Sequence, residues 1–513
     1  MNVRAINTGD IGDIRDEALK LHRDLEGVLH SSGESDNIDF FISSLTEHNP
    51  FNTTEEIAQW LREMNGVEYF HVETIPLADL RQWSFNQWSG DLCHESGKFF
   101  SIRGLEAQTN VGPVKKWSQP IIDQPEIGVL GILAKKIDGI LYLLMQAKPE
   151  PGNINTFQLS PTVQATQSNY KRVHGGKPTR HLEYFLDETR ARTLIDQLQS
   201  EQGARFYRKR NRNIIVRVSN DEDIDLGQNF RWVTLGQLKR LMLLDNTVNM
   251  DTRSVVSNID YNSETRTSLE PVRKDELRDC LGASSLVSKP VSELTVNMMV
   301  SAHSNSVPLH TTSNLLRRLS REKFRCELKT RLIPLNEVRD WQRTPHELHH
   351  AEGKFFSIIG VRVAAANREV SAWDQPIVKQ MDRGIVGFIA REINDVVHFL
   401  VQLKMESGNL DLLELAPTVQ CITGSYEGDK VPPFVPNMIK PTCGEVMFDT
   451  MQSEEGGRFY HEDNRNMLLM VDDSFPVEID NPRYLWMSMN QLNRFLGFNN
   501  FLNVESRSLL AII

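Results

Sequence analysis

The 513-residue sequence predicts two tandem copies of a mixed α/β domain. Its length exceeds the size at which one hydrophobic core keeps growing, so at least two domains are expected. An internal repeat divides the chain, because the string GKFFSI begins at Gly97 and again at Gly353. Within each copy, helical and strand-like patterns alternate in the same order, which is typical of a mixed sheet covered by helices.

Further strings repeat collinearly, so the duplication spans most of the chain. WSQP at Trp117 returns as WDQP at Trp373, and QSEQGARFY returns as QSEEGGRFY. The period is far longer than a solenoid unit, so each copy is large enough to be a domain. The predicted organisation is a helical N-terminal extension (1–52), copy one (53–256), a connector (257–310) with a short helix around Lys274 to Leu281, and copy two (311–513).

Local signals place the elements of each copy. Apolar residues recur at helical spacing near the N-terminus, and Thr53 with Glu56 has the spacing of a helix capping box. Asp138-Gly139 and Asn394-Asp395 each separate two apolar runs, as in a two-residue hairpin. A helix ending at Gln202 and stopped by Gly203 is predicted next, followed by a strand from Phe206 to Val218.

Composition excludes several classes of function. The net charge of −11 disfavours a nucleic-acid partner, because binding to phosphate backbones relies on a basic surface. We find no apolar stretch long enough to cross a bilayer, and the N-terminus lacks the pattern of a signal peptide. The five cysteines are scattered without a C-x-x-C pair, which fits a reducing cytoplasm and gives no zinc cluster.

A lysine and a glutamate stand two residues apart after each hairpin. They are Lys148 with Glu150 and Lys404 with Glu406. On a strand, residues two apart share a face, so each pair could meet one ligand. The alternative is an ion pair at a sheet edge without a function. Because both copies retain the pair, ligand binding and an ion pair without a function have equal support.

The loops that follow are rich in neutral polar side chains, which suit hydrogen bonding to a sugar or a base. A network that only orders a turn is the alternative. The candidate residues are Thr162, Gln164, Asn169 and Tyr170 in copy one, and Thr418, Gln420 and Tyr426 in copy two.

A basic and aromatic cluster follows the predicted helix in each copy. Arginine has a planar fork that suits the oxygens of a diphosphate, so these positions are candidates for gripping one; a solvated basic strand is the alternative. The cluster consists of Arg205, Tyr207, Arg210 and Arg212, and of Arg458, Tyr460, His461 and Arg465.

Two other motifs carry little weight. His346-Glu-Leu-His-His formally matches a zinc motif that requires a helix, but Pro345 precedes it and Gly353 closes it, so a surface loop or single turn is expected. The glycines of Gly128-V-L-Gly131 are not followed by a predicted helix, so they do not form a dinucleotide fingerprint.

Long strings in both copies resemble the NDP-hexose 2,3-dehydratase family, which acts on nucleoside-diphosphate 4-keto-6-deoxyhexoses. They include QPEIGVLGILAKKIDG, MQAKPEPGN, LSPTVQATQSNY and DNTVNMDTR in copy one, and LAPTVQC, QSEEGGRFY and ESRSLLA in copy two. The resemblance implies a Nudix-like α/β/α fold for each half, a homodimer and two possible sugar-nucleotide pockets. It also implies a hydro-lyase without a cofactor, whose unstable 3,4-diketo product a partner 3-ketoreductase consumes.

The Nudix box, which holds metal in hydrolases of that fold, looks degraded. Aligning its glycine on Gly203 leaves Glu201 but puts Ser200 and Gln197 in place of the other two glutamates, and copy two likewise keeps only Glu454. One carboxylate supplies too few oxygen ligands to hold magnesium, so no metal is expected.

The resemblance suggests a reaction in which a base removes the proton on carbon 3 and the carbon 2 hydroxyl leaves as water. Glu150, Tyr170 and Lys148 are the predicted catalytic residues, because copy one follows its loop with more basic residues than copy two. Trp117, Gln146 and Lys171 complete the predicted substrate contacts, with Lys404, Glu406 and Tyr426 as the copy-two set. The alternatives are a metal-dependent Nudix hydrolase and a non-catalytic sugar-nucleotide binding protein.

Overall fold

The computed structural model describes residues 8–30, 36–166, 178–261, 270–303, 306–366, 370–422 and 431–513. Its helices are α1 (Thr8–Val28), α2 (Asp36–Leu45), α3 (Thr54–Val67), α4 (Glu183–Leu186), α5 (Leu235–Met242), α6 (Met250–Val256), α7 (Lys274–Ala283), α8 (Glu293–Ala302), α9 (Thr312–Arg325), α10 (Val435–Ile439), α11 (Met489–Leu496) and α12 (Val504–Ile512).

The strands of copy one are β1 (Phe70–Ile75), β2 (Trp83–Phe85), β3 (Leu92–His94), β4 (Ser101–Thr109), β5 (Lys116–Asp123), β6 (Gly128–Ile137), β7 (Ile140–Pro149), β8 (Phe157–Ser160), β9 (Val163–Ala165), β10 (Arg192–Ser200), β11 (Arg210–Arg217) and β12 (Phe230–Thr234). Those of copy two are β13 (Leu328–Ile333), β14 (Trp341–Arg343), β15 (Glu347–His350), β16 (Phe356–Ala365), β17 (Ala372–Gln380), β18 (Gly384–Ile393), β19 (Val396–Lys404), β20 (Glu414–Ala416), β21 (Val419–Ile422), β22 (Glu445–Ser453), β23 (Asp463–Val471) and β24 (Tyr484–Ser488).

Each copy contains a seven-stranded sheet of the same topology. In copy one the order is β10-β11-β6-β7-β12, with β8 beside β7 and β9 beside β6; only β11 and β6 run parallel. Copy two repeats this as β22-β23-β18-β19-β24. Helices cover both faces of the first sheet, with Leu25 and Leu277 buried on one side and Leu238 on the other. The mixed α/β class and the duplication are confirmed, whereas the Nudix identity of each half stays a prediction.

The two copies exchange strands. β1 of copy one pairs with β16 of copy two, from Phe70 opposite Ala365 to Ile75 opposite Gly360. In the reciprocal exchange, β13 of copy two pairs with β4 of copy one. Each smaller, five-stranded sheet therefore takes one strand from the other half of the chain. The exchange binds the halves together through backbone hydrogen bonds.

Several local predictions are confirmed. Thr53 and Glu56 form both hydrogen bonds of a capping box at the start of α3. Asp138 and Gly139 have φ values of 49° and 82°, and Asn394 and Asp395 have values of 52° and 63°, as two-residue hairpin turns require. The N-terminal helix and the connector helix are α1 and α7.

The predicted helix before Gly203 is wrong, because this segment forms strand β10. Its sequence RTLIDQLQS contains the β-branched residues Thr193 and Ile195 and pairs antiparallel with β11 across a bulge. The strand after it begins at Arg210 instead of Phe206. The Nudix-box alignment on Gly203 assumed a helix and therefore loses its structural basis.

The loop or turn predicted at His346 to His350 is also wrong. Glu347–His350 forms β15, which pairs with β14 and β16. The ring of His350 packs edge-on against Trp341, with ring centroids 5.6 Å apart. Strand pairing with its neighbours overrides the short polar pattern that suggested a turn.

Two buried arginines join the halves near their centre. Arg253 on α6 is 1% exposed and donates to Oε1 of Gln452 at 2.8 Å and to the backbone carbonyl of Ser453. Arg507 on α12 reciprocates by donating to the backbone carbonyl of Ser200 at 2.5 Å. The helices α6 and α12 that carry them pack against each other.

We expect Arg253→Leu to destabilise the protein. Gln452 Oε1 and the Ser453 carbonyl would lose buried donors, at a cost of about 1–3 kcal/mol for each acceptor left unsatisfied. The measurement is the midpoint of chemical denaturation. The matched control is Arg190→Leu, because Arg190 is half exposed and its ion pair with Asp187 is a surface pair. Equal midpoints for the two variants would contradict the structural role of Arg253.

Candidate active site

A cavity of about 400 Å³ lies between the two copies. Copy one provides the ends of its large-sheet strands, including Lys148, and aromatic side chains of its small sheet, including Phe100. Copy two contributes Trp373 from β17 and the turn after β22, including Arg458. The cavity is therefore composite, and neither half forms it alone.

Lys148 and Glu150 lie together in this cavity, as their spacing predicted. Lys148 is near the end of β7 and Glu150 follows its last residue, so both project to the same side. Nζ of Lys148 lies 3.6 Å from Oε1 of Glu150, and both side chains are buried. The pair is thus an ion pair that also lines the cavity, and its contact with a ligand stays a prediction.

Gln164 on β9 fixes this pair. Its side-chain amide donates to Oε1 of Glu150 at 2.8 Å, and its backbone carbonyl accepts from Nζ of Lys148 at 3.2 Å. Asn249, the N-cap of α6, donates in turn to Oε1 of Gln164 at 3.3 Å. A chain of hydrogen bonds therefore orients the carboxylate before any ligand binds.

One carboxylate oxygen remains available. Oε2 of Glu150 is buried and has no hydrogen-bond partner among the residues that the structure describes. A buried oxygen without a donor costs stability, and such costs are characteristic of functional sites. Oε2 is thus free to accept a proton or hydrogen bond from a ligand in the cavity.

Copy two repeats the arrangement. Nζ of Lys404 lies 3.7 Å from Oε1 of Glu406 and donates to the backbone carbonyl of Gln420 at 2.9 Å. The Gln420 side chain donates to Glu406 at 3.2 Å, and Oε2 of Glu406 has no partner in the described ranges. The local geometry of both Lys–Glu pairs is therefore the same.

Three further residues of the cavity lining have shifted pKa values. Asp251 on α6 is buried, and burial, reinforced by Glu455 and Glu150, raises its pKa well above the usual value. Burial lowers the pKa of Lys209, which donates to the backbone carbonyl of Glu126. Burial also raises the pKa of Glu455 to about 7. Two carboxyl groups with raised pKa values thus line one cavity, and such perturbed groups cluster at functional sites.

The predicted arginines take two different positions. Arg458 of copy two lines the copy-one cavity, where it donates to Oε1 of Gln124 at 3.1 Å and stacks 4.2 Å over the ring of Phe100. Arg205 of copy one lies 4.3 Å over Phe356 of copy two, as its counterpart. Each arginine therefore reaches into the opposite copy.

The other three arginines, Arg210 at the start of β11, Arg212 and Arg465, lie outside the cavity lining. Arg212 pairs with Asp196 on the neighbouring strand at 2.6 Å, and Arg465 pairs with Asp449 at 2.5 Å. The half-buried Tyr207 is not part of the lining and contacts Arg208, and Tyr460 stacks on His461. Arg212 on β11 and Arg465 on β23 thus match the alternative of a solvated strand.

Thr162 and Thr418 have structural contacts. The hydroxyl of Thr162 donates to the carbonyl of Leu144 at 2.5 Å and accepts from the amide of Leu133 at 2.8 Å, which links β6 to β7. Thr418 repeats this between β18 and β19. Trp117 and Gln146 are half buried and outside the cavity lining, whereas Trp373, the counterpart of Trp117, lines it.

Some predicted residues cannot be placed. Asn169, Tyr170 and Lys171 of copy one and Tyr426 of copy two lie outside the described residues.

The sequence reasoning missed Asp251, Lys209 and Glu455. A usable signal was present for the first, because the repeated string from Asn249 to Arg253 returns from Asn503 to Arg507 with the acidic residue retained. No such signal existed for Glu455, because its partners come from the other copy.

Within the described ranges, no group of three or more histidine, cysteine, aspartate or glutamate side chains is placed to hold a metal ion. No helix in the same ranges is long and apolar enough to cross a membrane.

Comparison with known proteins identifies the family. The profile described as NDP-hexose 2,3-dehydratase matches residues 54–259 and 312–513. The chain is 38% identical over 487 residues to a dTDP-4-dehydro-6-deoxy-alpha-D-glucopyranose 2,3-dehydratase of Saccharopolyspora spinosa, covering 93% of this chain and 95% of the relative.

Two more relatives carry the same name. One from Amycolatopsis orientalis is 39% identical, covering 90% of each chain, and one from Streptomyces violaceoruber is 42% identical, covering 88% of this chain and 95% of the relative. The chain belongs to the NDP-hexose 2,3-dehydratase family.

Proposed function

We propose that this chain removes water from carbons 2 and 3 of dTDP-4-dehydro-6-deoxyglucose, in the cavity that is centred on Lys148 and Glu150. The observation that carries the proposal is the carboxylate of Glu150 in the cavity lining, whose Oε1 is held by Gln164 while Oε2 is buried without a hydrogen-bond partner among the described residues. The names of the three relatives support the substrate.

In the proposed mechanism, Glu150 removes the proton on carbon 3. The ketone on carbon 4 acidifies this proton, so its loss gives an enolate. The ammonium of Lys148, 3.6 Å from Oε1 of Glu150, adds positive charge on the side of the cavity where the enolate forms. The enolate then expels the hydroxyl of carbon 2, and the resulting enol becomes a 3,4-diketo sugar.

Arg458 is the proposed contact for the diphosphate. Its guanidinium lines the cavity and is oriented by Gln124 and Phe100, so the charge is fixed before the substrate arrives. The instability of a 3,4-diketo sugar supports a 3-ketoreductase as the partner that consumes the product. A homodimer is also proposed, on the family resemblance alone, and sedimentation would test it.

The test is an incubation of the enzyme with dTDP-4-dehydro-6-deoxyglucose, with magnesium in one sample and a chelator in another. We expect the same product in both, lighter than the substrate by one water and with the diphosphate intact by phosphorus NMR. Release of a sugar phosphate only with magnesium would instead indicate a hydrolase. Binding without any consumption would indicate a carrier protein.

A further inference from the structure

We propose that Glu455, which copy two contributes to the copy-one cavity, is the acid that protonates the departing hydroxyl of carbon 2. The inference rests on the proposed function and adds a catalytic residue to the same cavity. Hydroxide is a poor leaving group, so elimination benefits from an acid as well as a base. Glu150 takes up the carbon 3 proton as the base, so a second group nearby that already carries a proton can serve as the acid.

The geometry places Glu455 beside the base. Both residues line the cavity. A Cβ atom built on Gly457 would stand 3.1 Å from Oε1 of Glu455 and 3.7 Å from Oε1 of Glu150. Carboxyl groups from different copies therefore flank one small space, which the missing side chain of Gly457 keeps open. The reaction removes a proton from carbon 3 and a hydroxyl from the adjacent carbon 2. A base and an acid that are this close together can therefore reach both positions.

The surroundings of Glu455 raise the pKa of its carboxyl group. Burial raises its pKa to about 7, the nearby carboxylates Glu201 and Glu150 act in the same direction, and the cations Arg458 and Lys209 oppose it. A carboxylic acid with a pKa near the working pH can both hold and donate a proton.

The equivalent position in copy one shows that the turn does not need a carboxylate to fold. Gln202 stands there, and its amide donates to Oε2 of Glu454 at 2.7 Å. Both turns continue to a phenylalanine, Phe206 or Phe459, that bridges to the neighbouring small sheet in the same way. The carboxyl group of Glu455 is therefore a local addition to a turn that also forms without one.

The residues around the turn also differ between the two copies. Gly457 and Lys209 of the copy-one cavity correspond to Ala204 and Glu462 in the repeat. The added methyl group narrows the space that Gly457 leaves open, and the basic residue is replaced by an acidic one. The carboxyl group of Glu455, the open space at Gly457 and the cation Lys209 thus occur together at the copy-one cavity.

The proton balance of the step is closed. Glu150 takes the proton of carbon 3, the C2–O bond breaks as a C2=C3 bond forms, and Glu455 gives its proton to the leaving oxygen to make water. The enol then returns its hydroxyl proton to Glu455, while carbon 2 takes the proton held by Glu150. Both carboxyl groups end in their starting states, and no oxidant or reductant is consumed.

The test compares Glu455→Gln with wild type in deuterated buffer. We expect water loss to fall about 10²–10³-fold, while deuterium exchange at carbon 3 stays within about threefold of wild type. Exchange survives because Glu150 still forms the enolate, which returns to the ketone when the hydroxyl cannot leave. The matched control is Glu445→Gln, an exposed residue at the start of β22, which should leave both rates unchanged.

Two further readouts separate an acid from a structural residue. A substrate with fluorine in place of the carbon 2 hydroxyl needs little help from an acid, so Glu455→Gln should process it nearly as fast as wild type. The wild-type rate of water loss should also decline above pH of about 7, and this decline should be absent in the variant.

The outcomes distinguish the two proposals. Equal losses of exchange and of water elimination in Glu455→Gln, or full water elimination, would overturn the role of Glu455. Absence of both exchange and water loss in the wild-type enzyme would instead overturn the proposed function.

Discussion

Glu150→Gln is expected to lower the turnover of the 4-keto sugar nucleotide by about 10²–10⁴-fold, the usual contribution of a positioned general base. The amide that replaces the carboxylate cannot accept the carbon 3 proton. It is nearly the same size and still meets Gln164, so the cavity is retained. Deuterium exchange at carbon 3 should fall with turnover, because both depend on the same proton transfer.

The repeat offers a matched control. Glu406→Gln makes the same chemical change in the same local geometry, next to Lys404 and Gln420. We expect a much smaller loss of turnover, since the reaction is assigned to the copy-one cavity. A larger loss in Glu406→Gln than in Glu150→Gln would move the reaction to copy two. Full activity in both variants would contradict a carboxylate base.

Gly152→Ala is expected to destabilise the protein and to reduce its activity. Gly152 donates its amide to the carbonyl of Gly456 at 2.7 Å, and its carbonyl accepts from the amide of His461 at 2.8 Å. A Cβ on Gly152 would stand 1.7 Å from the carbonyl oxygen of Phe459, so the backbones of the two copies must separate. Overpacking of this kind costs about 1–3 kcal/mol or more.

Activity should fall as well, because Gly152 is two residues from Glu150. The measurements are the denaturation midpoint and the turnover of the folded protein. Gly408→Ala makes the mirror change, with a Cβ 1.9 Å from the Phe206 carbonyl oxygen, and should cost similar stability. Gly66→Ala is the neutral control, because it adds a methyl to open space in α3 and should raise stability by up to about 1 kcal/mol. Equal midpoints for Gly152→Ala and Gly66→Ala would contradict the close backbone contact between Gly152 and the turn of copy two.

Much of the fold could be predicted from local sequence. The repeat, the capping box of Thr53 and both hairpin turns depend on residues that are close in the chain, so spacing alone was sufficient. The segment before Gly203 could not be assigned in this way. Its apolar residues Leu194, Ile195 and Leu198 fit helical spacing, and only pairing with β11 makes the segment a strand.

The site was predictable only in part, for a related reason. Lys148 and Glu150 were found because residues two apart in an extended segment project to the same side. Arg458 was recognised as a ligand-binding type of residue, but its cavity could not be assigned because the exchange between copies is a tertiary feature. Glu455 depends on the same exchange. Arg212 was a candidate for gripping a diphosphate, whereas in the structure it pairs with Asp196 of the adjacent strand. Local sequence does not reveal that pairing.

The central claim is that a carboxylate in a cavity between the copies removes the proton from carbon 3. The most direct measurement is the incubation of wild-type enzyme and Glu150→Gln with the 4-keto sugar nucleotide in deuterated water containing a chelator, followed by mass spectrometry. With the wild-type enzyme we predict deuterium at carbon 3 of the unreacted substrate and a product lighter by one water, and with the variant we predict neither. Water loss that continues at the wild-type rate in Glu150→Gln, or that stops when divalent ions are removed, would contradict the account.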